Sequence, residues 1–286
     1  MKPVNRKWLE LVICLGAFAL VSLLSEHFQK PMTFRNDYAL DCAHYYRTAE
    51  QFARGAPIVG DAPICFRLGN PYLAARIDPN DLLHGFKLVN CAANVLLLVL
   101  FMVWLRLHLR DWRIRTVLVL LLLTQWHGPF RFVFWYPTAS DNTLHCFILM
   151  GLICLHYVAA KPRLATALLA LVVLVGVAFR EIMLLLPVAL LFADNPIRFQ
   201  GLWGHLTRFQ WREILRIPRL IFWIPLLVGA AGFACVRLVA HQENGYKFGL
   251  IAVKWLYDKP WPTYLHGALI AFGPILGLLI YNGRQT

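Results

Sequence analysis

Asp41 and Tyr45 lie four residues apart in DYALDCAHYYRTAEQFARG. That spacing puts a carboxylate and a phenol on one face of a helix. Ala49, Phe52 and Ala53 continue the face, so the predicted helix carries an acid at the head of an apolar stripe. A carboxylate so placed can act as general base on a hydroxyl that comes within hydrogen-bond reach. The structural alternative is an acid at a helix start, where Asp is favoured without any chemistry. Asp37, four positions earlier, is a second acid that could hold the same role, and His44 beside Tyr45 either lines the same pocket or stands by. After Gly55 the chain is punctuated by proline and glycine, and Arg67 and Pro71 lead toward the next apolar helix.

Other candidate groups interrupt apolar sequence. Arg180 and Glu181 break the run AFREIMLLLP. Charges in such a place are costly and usually face a bundle interior or a watery cavity. Arg180 suits an anionic phosphate, with Glu181 orienting it or pairing across the cavity; the alternative is a solvated surface turn. Arg131 stands among aromatics in WHGPFRFVFWYP, where Gly128-Pro129 predicts a helix break and an outward or re-entrant segment over 130–136. Arg131 could serve a phosphate too, or could stack on the neighbouring rings at an interface. Asp141 follows Tyr136-Pro137, and capping of the next helix is its default reading.

The elements that must position these groups are membrane helices. The chain has 286 residues, of which 59% are hydrophobic and 15% charged. Soluble domains run nearer about 45–50% apolar and about 25% charged, and here the excess is concentrated in long runs. The net charge of +13 does not indicate nucleic acid, because the basic residues sit in short loops between those runs. Apolar runs at 8–24, 88–105, 116–135, 143–158, 164–178, 182–192, 220–239 and 264–281 predict an all-α polytopic membrane protein of about eight spans. The runs at 164–178 and 182–192 are short, and one long broken helix competes with two spans. No cleavage site follows the first run, which reads as an uncleaved span.

Charge sets the orientation. The loops at 1–7, 106–115, 160–163, 194–219 and 282–286 hold more than half of the 28 basic residues, whereas most acids fall in the alternate segments. By the positive-inside rule, both termini face the cytoplasm and the large loop at 26–87 faces outward. The 194–219 loop alternates aromatics with arginines and reads as an amphipathic helix on the inner leaflet. The last outer loop, 240–263, mixes lysines with Trp and Tyr, which suits headgroups or a sugar platform, though an ordinary interfacial belt is the preferred reading. Cys42 and Cys65 share the first outer loop, where a disulfide and two thiols are both open readings. No phosphate-cradling glycine loop or HExxH motif is present, and no convincing metal-ligand set is formed.

The pattern Asp41-x3-Tyr45-x3-Ala49-x5-Gly55, followed by Arg67-x3-Pro71, resembles the first outer loop of the GT-C glycosyltransferases. These are integral membrane enzymes that use polyprenyl-phosphate-linked sugars, among them protein mannosyltransferases and lipid A aminoarabinose transferases. The resemblance implies a single GT-C-like membrane domain over 1–286 in a bacterial inner membrane, with a juxtamembrane helix in its first loop. It implies a polyprenyl-phosphate sugar as donor and a glycan, lipid or protein acceptor on the extracytoplasmic face. Asp41 would be the general base, with Asp37 the competing acid; Tyr45, Arg67, Arg180, Glu181, Arg131 and His44 would bind substrate. Some relatives use a divalent metal, but none is implied by a ligand set here, so no cofactor is expected. The chain departs from the family pattern at Cys42, where Glu is common, and at Arg67-Leu-Gly-Asn-Pro71, where Lys-Pro-Pro is common. Two other classes fit the sequence: a transporter or flippase for a lipid-linked intermediate, and a non-catalytic membrane subunit.

Overall fold

A computed structural model describes residues 6–29, 41–125, 128–193 and 220–243, all within the first of two compact units, Met1–Asn244. Asp37, the 194–219 loop, the 264–281 run and most of the 240–263 loop lie outside the described residues.

In chain order, α1 (Arg6–Phe28) is followed by α2 (Cys42–Arg54), strand β1 (Ile58–Gly60), a 3-10 turn (Ile64–Phe66) and α3 (Gly69–Ile77). Then come α4 (Leu82–His108), α5 (Trp112–Thr124), α6 (Pro129–Trp135), α7 (Asp141–Tyr157) and α8 (Pro162–Gly176). A second 3-10 turn (Glu181–Leu184) leads into α9 (Leu185–Ala193). Beyond residue 219, a 3-10 turn (Leu220–Trp223), α10 (Ile224–Val239) and β2 (Ala240–Gln242) complete the described fold.

Among the described residues, three helical segments are long and apolar enough to cross a membrane: Trp8–Phe28, Leu82–His108 and Leu220–Val239. The bent pair α5 and α6 makes a fourth if counted as one span. Their break falls at the predicted Gly128-Pro129, because proline supplies no backbone N–H to the preceding turn. The 164–192 stretch is interrupted around Arg180 and Glu181, where the sequence places charge. It ends as α8 at Gly176 and resumes through the 3-10 turn into α9, whose nine residues rise only about 14 Å.

Neighbouring contacts run α1 to α5, α4 to α7, α7 to α8 and α8 to α10. The interior is apolar, with Leu97, Leu98, Val119 and Leu123 in one cluster and Leu169, Val173, Met183 and Leu190 in another. Other apolar side chains of the same helices stay exposed, including Leu20 and Leu23 on α1 and Val95, Leu96 and Val99 on α4. Continuous exposed apolar surface on long helices suits lipid as the solvent.

A cap of α2, β1 and α3 covers one end of the bundle. Helix α2 buries Cys42, Tyr45, Thr48 and Ala49, and Gly55 closes it in the left-handed conformation at φ 63°. The Gln51 side-chain amide bonds both backbone groups of Val59, fixing β1 beside α2. Strand β1 pairs in parallel with β2, Ile58 opposite Ala240 and Gly60 opposite Gln242, and Arg47 reaches Glu243 at 3.4 Å. Helix α3 rests on the start of α4, where a Cβ on Gly85 would strike the backbone oxygen of Ala74. Backbone cannot swing aside as a side chain can. Gly85→Ala is therefore expected to lower stability by about 1–3 kcal/mol, read as a lower thermal unfolding midpoint of the purified protein. An unchanged midpoint would mean that α3 does not sit this close to α4.

The opposite end of α4 carries a buried ionic knot. Glu10 on α1 is 1% exposed, and Arg115 on α5 grips both of its oxygens at 2.8 Å. Arg106 of α4 adds a third contact at 3.4 Å, and Arg115 Nη1 also donates to the carbonyls of Leu109 and Arg110. Glu26 pairs with Lys87 where α1 meets the other end of α4, so the two helices run antiparallel.

Candidate functional site

Arg67 is the centre on which distant segments converge. Its side chain is 12% exposed, and Nη1 donates to the Tyr45 hydroxyl at 3.1 Å. The same nitrogen stands 3.6 Å from Asp41 Oδ2, while Nη2 donates to Glu181 Oε1 at 3.3 Å. Burial alone would pull the guanidinium down, but Tyr45 and Glu181 more than offset it and hold Arg67 above the usual arginine range. Arg67 is a fixed cation at every accessible pH.

Each partner is brought by a different element. Tyr45 is 2% exposed on the buried face of α2, against Ala74, Ala75, Leu82 and Phe86. Its hydroxyl also accepts from Ser140 Oγ at 3.4 Å, linking α2 to the turn before α7. Asp41 immediately precedes α2, yet its side chain makes no capping hydrogen bond. The carboxylate turns to Arg67 instead and remains half-exposed. Glu181 comes from the interruption between α8 and α9, which Ala178 docks onto α3 by accepting from the Gly69 N–H at 2.8 Å.

Arg180, one residue before Glu181, faces another acid. Its Nη2 lies 2.9 Å from Asp141 Oδ1. The capping role expected of Asp141 is thus replaced by an ion pair; Ser140 is the residue that precedes α7, and it makes no side-chain cap either. Among the described residues, Arg67 Nε and Arg180 Nε are buried without a hydrogen-bond partner. Both guanidinium groups therefore keep a donor in hand, which is costly unless something accepts it.

Two candidates are used elsewhere. His44 Nδ1 sits 3.7 Å from Asp61 Oδ2, about a third of a turn around α2 from Tyr45. Arg131 Nη1 donates back to the Thr124 carbonyl at 3.3 Å across the α5–α6 corner. Cys42 and Cys65 are buried in separate apolar clusters, and no disulfide joins them.

The floor of the site is set by buried asparagines that sequence reasoning missed. Asn90 of α4 donates to the carbonyls of Pro137 and Ala139, and Asn70 of α3 donates to Ala139 while accepting from Thr143. Asn94 donates to the Phe130 carbonyl, and Asn142 donates to Asn94 Oδ1 and to the Pro129 carbonyl. The turn over 136–140, between α6 and α7, cannot satisfy its carbonyls within a ladder, so Asn90 and Asn70 do it, while Asn94 and Asn142 hold the first turn of α6. A polar residue recurring in otherwise apolar α4, at Asn90 and Asn94, was the available signal. Tyr136, held by this turn, has its phenol pushed up by burial, with Cys42, Asp41 and Tyr45 adding to the effect, so it stays protonated.

No protein-family model matches this chain, and no curated protein or solved structure matches it either. Among the described residues, no group of three or more His, Cys, Asp or Glu side chains converges as a metal site would.

Proposed function

We propose that the chain is a membrane glycosyltransferase that moves a sugar from a polyprenyl-phosphate donor to an acceptor hydroxyl. The observation that carries this reading is the assembly of Asp41, Tyr45 and Arg67 into one centre at a bundle end, beside Arg180. Asp41 is half-exposed and uncommitted to a helix cap, and its ion pair with Arg67 is beyond hydrogen-bond length. A hydroxyl can therefore reach it. In the proposed step, Asp41 accepts the acceptor's proton as that oxygen attacks the anomeric carbon. The bond from that carbon to the phosphate oxygen breaks, and its electron pair leaves with the lipid phosphate. Arg67, paired with Asp41 and Glu181, and Arg180, paired with Asp141, are held cations that suit the charge growing on that phosphate. A single displacement inverts the anomeric centre and needs no resident cofactor.

The reading carries the topology with it: about eight spans, both termini cytoplasmic, and the Asp41 loop on the extracytoplasmic side of a bacterial inner membrane. Donor, acceptor and bilayer are then the partners, the acceptor being a glycan, lipid or protein. A second reading, transport of a lipid-linked intermediate, is favoured by one observation. Two apolar stretches are interrupted, between α5 and α6 and between α8 and α9, and broken helices are common at transporter binding sites. Purified protein in vesicles containing radiolabelled polyprenyl-phosphate sugars separates the two. Label moving to an added acceptor supports transfer. Label that crosses the bilayer without changing its linkage overturns transfer in favour of transport.

A further inference from the structure

The outermost turn of α10 carries an arginine that the Arg67 centre does not use. Arg237 is exposed, with its guanidinium carbon 4.5 Å from the centre of the Phe66 ring and 4.7 Å from that of Phe233. Among the described residues, no carboxylate lies within ion-pair distance of it, and those two rings are its contacts. The arginines around it differ: Arg47 has Glu243, Arg54 has Glu50, Arg67 has Asp41 and Glu181, and Arg180 has Asp141.

A guanidinium over aromatic rings is restrained by them while its N–H groups, which the rings do not use as acceptors of bidentate type, stay available. Those groups form the edge that matches a phosphate in bidentate fashion. The location selects the kind of phosphate. Arg237 falls in the last turn of the 20-residue apolar segment Leu220–Val239, next to Leu238 and Val239, which are 78% and 55% exposed. A cation at the end of an apolar span, beside side chains suited to lipid, lies at headgroup depth. Phe66, one of its two rings, is adjacent in the chain to Arg67, and consecutive Cα atoms are about 3.8 Å apart.

We propose that Arg237, which lies over the Phe66 and Phe233 rings, is a binding site for the phosphate of a membrane lipid on the approach to the Arg67 centre. The lipid's chains run from there back along α10 toward the bilayer interior, where Leu227 and Ile224 are exposed, and its phosphate takes the open edge of the guanidinium. This goes beyond the transfer reading and does not require it, because a transporter of a lipid phosphate would use the same site. The test therefore reads binding and not activity.

Native mass spectrometry of the purified full-length protein would be titrated with a polyprenyl monophosphate, with the unphosphorylated polyprenol, and with inorganic phosphate as competitor. Arg237→Gln is expected to weaken binding of the lipid phosphate by about tenfold or more, the scale of one charge-assisted hydrogen bond. Phe233→Leu, which keeps the charge and removes one ring, should weaken it by less. Polyprenol should bind wild type and Arg237→Gln alike. Arg76 lies over a single ring, Tyr72, at 5.3 Å, so Arg76→Gln is the charge-matched control and should leave binding unchanged. Each variant's unfolding midpoint would be measured alongside. Equal binding by folded Arg237→Gln and wild type would overturn the site. So would equal weakening by Arg76→Gln, which marks diffuse charge, or efficient competition by inorganic phosphate, which marks a site for the free ion. Loss on Arg67→Met with none on Arg237→Gln would remove this site and leave the transfer reading standing.

Discussion

Asp41→Asn is expected to lower sugar transfer by about 10²- to 10⁴-fold, the range for loss of a general base. It should leave the unfolding midpoint almost unchanged. The second half of this expectation gives the first its force. Asp41 caps nothing, and a half-exposed ion pair at 3.6 Å contributes only about 0–1 kcal/mol. Asn keeps the shape and can still accept a hydrogen bond, but it cannot take a proton at neutral pH. Transfer would be measured with radiolabelled donor in vesicles, beside Asp37→Asn. Loss confined to Asp37→Asn would move the base to that residue. Full activity in Asp41→Asn, or a collapse of its folding, would show Asp41 to be structural.

Glu10→Ala should destabilise the protein by about 3–5 kcal/mol, the cost of stripping one partner from a buried ion pair. Glu10 is 1% exposed, and the Arg115 side chain that grips it is 11% exposed, so the cation left behind has little water to turn to. Arg106 would lose the same partner. Glu10→Gln retains one acceptor oxygen and should fall between Ala and wild type. Replacing Glu10 and Arg115 together with apolar residues should recover much of the loss, since no unpaired charge then remains. Unfolding in mixed micelles would read all four proteins. A Glu10→Ala protein as stable as wild type would mean that water reaches the knot.

What could be read from the sequence was mostly local. The helical repeat of Asp41, Tyr45 and Ala49 gave α2 and its buried face, because a period of 3.6 is written in consecutive residues. Gly128-Pro129 announced the break before α6 for an equally local reason. Arg180 and Glu181 stood out because charge in an apolar run is rare. Their partners did not stand out: Arg180 finds Asp141 and Glu181 finds Arg67 across long stretches of chain, and periodicity is blind to such pairing. Glu10 went unremarked because one acid barely alters the mean of an apolar run, and its meaning lies on α5. The division of the 164–192 stretch was legible, because Arg180 and Glu181 stand in it; the docking of Ala178 onto Gly69 beside that break was not, since it joins distant segments.

The short ladder between β1 and β2 makes the cap a fastened lid-plate on a long loop of chain. Residues 58 and 240 are neighbours there, so everything from α3 to α10 is enclosed in a ring closed by the β1–β2 pairing, the Glu243 N–H to Gly60 bond and the Arg47–Glu243 contact. Opening the ring at that clasp releases a large loop at once, and the entropy of closing such a loop grows only slowly with its length. Lifting α2 from Arg67 would also break its tie to that clasp, the Arg47–Glu243 contact, and the Gln51 bonds to Val59.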